Sequence, residues 1–83
     1  MTSRFWVNAE LETASVPSDL AERLEREGAP LSERDEADGM TLIRFDVEAE
    51  DVKAAIAAGD DLLRRAQLDG RVTGATSPLQ AGA

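Results

Sequence analysis

Residues 40–49, MTLIRFDVEA, decide the fold. In an extended chain successive side chains alternate between faces, which puts Thr41, Ile43, Phe45 and Val47 on one side and Met40, Leu42, Arg44 and Asp46 on the other. The first set is mainly β-branched and aromatic, the composition of a half-buried pleated surface. Asp38-Gly39 stands directly before the stretch, so the strand enters from a tight turn whose left-handed backbone suits Gly39, with Asp38 a second candidate. This is the central strand.

Working outward toward the amino end, Arg4 to Thr13 alternates in the same way. Phe5, Val7, Ala9 and Leu11 share one face; Arg4, Trp6, Asn8, Glu10 and Glu12 share the other, as in a second strand with one buried side. In Ser15-Val16-Pro17-Ser18 the proline suits a first helical turn, and either serine can accept from the free N–H groups there. A helix is expected over Pro17 to Glu27, with Leu20, Ala21 and Leu24 as its apolar stripe, Glu22 and Arg26 paired on the wet side, and Gly28 as its stop. Ala29 to Arg34 predicts a short edge strand, because Pro30 lacks a ladder donor and only Leu31 reads as buried. Asp35 to Gly39 then forms the hairpin loop.

Beyond the central strand, Glu48, Glu50 and Asp51 place negative charge where a helix dipole favours it. The second helix is expected to run to about Leu68. Val52, Ala55, Ile56, Gly59, Leu63 and Ala66 form its apolar stripe, with Asp60–Arg64 and Asp61–Arg65 opposite. Gly59 costs ~1 kcal/mol relative to alanine in a helix interior, which close packing against a neighbour would offset. Asp69-Gly70 ends the helix, and Arg71 to Ser77 carries Val72 and Ala75 as a last strand. Pro78 stops the pairing, leaving residues 1–77 as one α+β domain and 78–83 as an expected disordered tail.

The order βαββαβ predicts an α+β fold of the ferredoxin-like, split βαβ type: an antiparallel sheet in the order 4-1-3-2 with two helices on one face. That order puts the two strongest strands in the middle and the two weakest at the edges. Over nearly the whole chain the element order resembles that of the ACT and Lrp/AsnC effector-type domains. The resemblance implies a small-molecule-sensing regulatory domain whose first strand–helix loop binds an amino acid. Here that loop falls at residues 13–18, TASVPS, which contain no glycine.

Composition narrows the function. Eighty-three residues suit one domain with a thin reserve of stability, and Phe5, Trp6 and Phe45 are its only aromatic residues. A formal charge of -8 opposes binding to nucleic acid and to anionic membranes, an acidic decoy for a basic DNA-binding surface being the exception. With no histidine, cysteine or tyrosine, the commonest acid–base and nucleophilic groups are missing. Lys53, among Glu48, Glu50 and Asp51, reads as a solvated helix lysine. Glu33, Asp35, Glu36 and Asp38 cannot fill an EF-hand register and read as an acidic hairpin tip. No catalytic residue, cofactor or metal is expected. No apolar run approaches a membrane span, and MTSRFWVNAE lacks a signal peptide's apolar core, so the expected location is cytoplasmic.

Trp6 is the unusual residue. Alternation that buries Phe5, Val7, Ala9 and Leu11 forces the indole onto the opposite side of a central strand, where Met40 and Leu42 join it from the neighbouring strand. An apolar group on a sheet face without helices marks an interface, and polar neighbours form its rim. The expected interface residues are Trp6, Asn8, Met40, Leu42 and Arg44. The competing explanation covers Trp6 with Pro78 and Leu79 of the chain's own tail. The leading expectation is therefore a non-enzymatic protein-interaction or dimerisation module, and the alternative is a small-molecule sensor on the same plait.

Overall fold

The structure, a computed structural model, describes residues 2–77; the expected tail at 78–83 lies outside them. Strands β1 (Ser3–Glu12) and β3 (Met40–Ala49) form the middle of a four-stranded antiparallel sheet, with β2 (Leu31–Ala37) and β4 (Gly70–Thr76) at its edges. The order β2-β3-β1-β4 is 4-1-3-2 numbered from the opposite edge, and it is compatible with a ferredoxin-like α+β plait.

What needs correcting in the expected fold class is the segment order. The chain does not run as a bare βαββαβ: a 3-10 turn, Thr13–Ser15, stands between β1 and the first helix, α1 (Leu20–Arg26). Pro17 pushes the residue before it out of helical conformation, and Val16 is extended at ψ 121°. The turn therefore closes before Val16, and α1 begins at Leu20 rather than Pro17. Neither Ser15 nor Ser18 caps it. Asp19 occupies the cap position without making a cap bond, its carboxylate accepting instead from Arg23 Nε at 2.9 Å.

Both helices lie on one face of the sheet. Leu20 and Leu24 of α1, with Ala55, Leu62 and Leu63 of the second helix, α2 (Val52–Arg65), close over Phe5, Val7, Leu11, Ile43 and Phe45. Thr41 shares this buried face, and its hydroxyl lies 3.0 Å from Thr13 Oγ1, so its polar atom is satisfied. The hairpin is tighter than expected. β2 extends to Ala37, opposite Met40, and the loop is Asp38-Gly39 alone, with φ of 53° and 77°. Two consecutive left-handed residues make the turn whose twist matches that of the flanking strands.

Helix α2 starts where its charge pattern indicates: the Asp51 carboxylate accepts from Ala54 N at 2.8 Å. It ends at Arg65, short of the expected Leu68. Gln67 turns left-handed (φ 58°), Leu68 N donates to Leu63 O at 2.9 Å, and Gln67 N donates to Arg64 O at 3.1 Å, the bond pair that closes many helices. Such a turn favours glycine or asparagine, so a glutamine there leaves no readable stop. Arg23 of α1 seals the end by donating from Nη1 to Ala66 O and Gln67 O, both at 3.2 Å. The apolar stripe also shifts, to Ala55, Gly59, Leu62 and Leu63, leaving Val52 and Ile56 exposed. Gly59 explains the shift: a Cβ there would sit 2.7 Å from Val7 Cγ1 and 3.3 Å from Val72 Cγ2. The helix approaches the sheet at its one residue without a side chain.

Candidate functional site

Strand register places the candidate residues. Val7 faces Phe45 and Ala9 faces Ile43 in the core, so the residues between them project from the outer face: Trp6 opposite Asp46, Asn8 opposite Arg44, Glu10 opposite Leu42 and Glu12 opposite Met40. All five expected interface residues lie on this one face, and both helices lie on the other.

The outer face is ordered around Arg44. Its guanidinium carbon stands 4.8 Å from the centre of the Trp6 ring, Nε donates to Asn8 Oδ1 at 3.2 Å, and Nη1 is 3.1 Å from a Glu33 carboxylate oxygen. A guanidinium plane laid over an indole contributes ~0.5–1 kcal/mol at an exposed site. More important, stacking, amide and carboxylate together fix the side chain in one position. Trp6 is half-buried as a result. Farther out, Arg71 Nε donates to Glu10 Oε1 at 2.6 Å and Arg4 lies 3.8 Å from Asp46. Exposed ion pairs of this kind add ~0–1 kcal/mol each to stability, so they arrange the surface more than they hold the fold.

The apolar residues on this face are not one continuous cluster. Trp6 stands level with Asp46, four residues along β3 from Leu42 and six from Met40, or about 13 and 20 Å at the usual strand rise. Asn8 and Arg44 lie between. Leu42 is 40% exposed and borders a depression of about 330 Å³ that is also lined by Asn8, Glu33, Asp35, Arg44 and Thr73. Met40, half-buried, sits at the hairpin end beside Glu12.

Sequence reasoning missed Glu33 and Asp35 as members of this surface. Without an irregularity, Glu33 would share the inner face with Leu31. A bulge at Ser32 flips the alternation, so that Leu31 faces Phe45 while Glu33 faces Arg44 and Asp35 faces Leu42. Ser32 holds the bulge by donating from its hydroxyl to Arg44 O at 3.1 Å. The acidic run therefore splits: Glu33 and Asp35 line the outer face, while Arg34 and Glu36 pair with each other at 3.0 Å on the other side. No signal within a single strand reveals such a flip.

Among the described residues, no acidic group is gathered as a metal site, and no helix is long and apolar enough to cross a membrane. The competing cover for Trp6, Pro78 and Leu79, lies outside the described residues. No protein family, curated protein or solved structure matches the chain, so a functional reading rests on the geometry of this face.

Proposed function

We propose that the domain is a non-catalytic protein-interaction module whose outer sheet face docks a basic segment of a partner protein. The carrying observation is Leu42: an exposed apolar side chain between Glu10 on one neighbouring strand and Asp35 on the other, beside a depression edged by Glu33. Arg71 and Arg44 already meet Glu10 and Glu33, which leaves Asp35 beside the apolar anchor, on a chain of formal charge -8, to complement a partner that presents an aliphatic or aromatic residue next to a lysine or arginine. Arg44, already held by Trp6, Asn8 and Glu33, gives that partner a preset surface, which lowers the ordering cost of binding. The lack of histidine, cysteine and tyrosine supports a non-catalytic role, and the acidity supports a partner that is neither nucleic acid nor membrane.

Site-specific photo-crosslinking tests this. A photoreactive residue at position 42 should trap a discrete protein that is lost with Asp35→Lys and weakened by added salt, while the same probe at Glu25 on α1 traps nothing comparable. Equal trapping at both positions, or adducts with nucleic acid, would refute the reading. A small-molecule sensor could use the same depression, whose volume is at the low end for ligand sites. It predicts instead a rise in melting temperature with amino acids or nucleotides, abolished by Arg44→Ala.

A further inference from the structure

The two edge strands are guarded very differently. Edge strands invite pairing with another chain, and charge is a common defence. β2 reads LSERDEA, with four consecutive charged residues from Glu33 to Glu36, whereas β4 reads GRVTGAT, with Arg71 its only charge. Both strands carry a bulge, so irregularity does not separate them. Charge does.

The helix beside the β4 edge is also unfinished. On a helical wheel Ile56 lies on the far side of Gly59 from Ala58 and Leu62. Ala58 and Leu62 line a cleft with Gly28 and Ala29 at the end of α1, and Gly59 packs against Val72 of β4. Ile56 is therefore turned toward the β4 edge, and with Val52 it is among the three large hydrophobic residues left exposed among the described residues, at 38% and 40%. Its neighbours on the same ridge are Lys53, three residues before it, and Asp60, four after. If two copies of α2 lie antiparallel about an axis near Ile56, Lys53 of each faces Asp60 of the other, because the two positions are almost equidistant from the axis. The strand agrees with that placement. Gly59 is level with Val72, and three residues of helix cover little more than one residue of strand, which brings Ile56 level with the middle of β4.

We infer that the β4 edge and the Val52–Ile56 ridge of α2 bind a second copy of this chain in an isologous pair, β4 beside β4 and α2 beside α2. Such a contact is self-complementary by symmetry, it buries the exposed Ile56 and Val52, and it brings each Lys53 to the opposite copy's Asp60, which then bridges that lysine and Arg64 of its own helix, 3.3 Å away. It uses a different surface from the outer sheet face, so the two proposals stand or fall separately.

Sedimentation of the full chain over a dilution series decides it. The wild type should run as a dimer that dissociates on dilution, and Ile56→Asp as a monomer throughout with an unchanged circular dichroism spectrum. Lys53→Asp and Asp60→Lys should each weaken the dimer by ~10-fold or more, because each removes both symmetry-related charge pairs, and the double variant should recover most of that loss. A wild-type monomer at the highest concentration, a dimer indifferent to Ile56→Asp, or no recovery in the charge swap overturns the inference. So does a dimer dissociated by Leu42→Asp and left intact by Ile56→Asp, which would place the self-contact on the outer face.

Discussion

The two faces of β1 and β3 are made from the same twenty residues, ten in each strand, yet they behave as different materials. Inside, Val7, Ala9, Leu11, Ile43 and Phe45 are at most 2% exposed and pack against two helices. Outside, the largest side chain of all, Trp6, is only half-buried and is covered by an arginine. Residue size does not decide which face forms the core; the position of the helices does. The inner face should therefore govern stability and the outer face recognition, and graded substitutions can break or sharpen that division.

The largest effect is expected at Phe45. Phe45→Ala removes a fully buried ring and should lower the unfolding free energy by ~3–5 kcal/mol, read by urea denaturation; that is much of a small domain's total. Gly59→Ala comes next. Helix propensity alone predicts a gain of ~1 kcal/mol, but the new methyl meets Val7 at 2.7 Å, and overpacking a core costs ~1–3 kcal/mol. The variant should melt lower than wild type, and Val7→Ala in the same chain should recover part of the loss. A Gly59→Ala protein more stable than wild type would show that α2 can lift off the sheet without cost.

On the outer face the effects shrink. Arg44→Ala should cost ~1 kcal/mol or less, from the lost indole stacking. It should also shift Trp6 emission to longer wavelength as the ring meets water. Smallest of all, Leu42→Thr should change stability by no more than ~0.5 kcal/mol, as at an ordinary surface position, while eliminating capture by a probe placed elsewhere on the outer face. A Leu42→Thr protein that unfolds would mean this face is covered in the monomer, and the division between the faces would fail.

How much of this could be read in advance differs by element. The alternation in β1 and β3 is local, and it places Trp6 and Arg44 outside without reference to anything else. The glycine at position 28 and the carboxylate at 51 likewise mark helix ends through bonds made within a few residues. The end of α2 was illegible because Gln67 does a glycine's work and Arg23, more than forty residues away in sequence, closes the helix. Val52 and Ile56 fit the apolar period of α2 as well as Leu63 does. Only the roll of the helix about Gly59 leaves them outside.

The candidate face shows the same limit. Its membership along β1 and β3 follows from a two-residue period, which any single strand displays. The approach of Glu33 and Asp35 to Arg44 and Leu42 requires the bulge at Ser32, and a bulge exists only between two paired strands. Alternation, turn residues and charge are properties of neighbours in the chain, so the amino-acid order alone settled the two central strands, Asp38-Gly39 as turn residues and the side on which the indole lies. Helix roll, strand register and the separation of Trp6 from Leu42 depend on contacts between segments far apart in the chain, and those were settled when the sheet and helices packed.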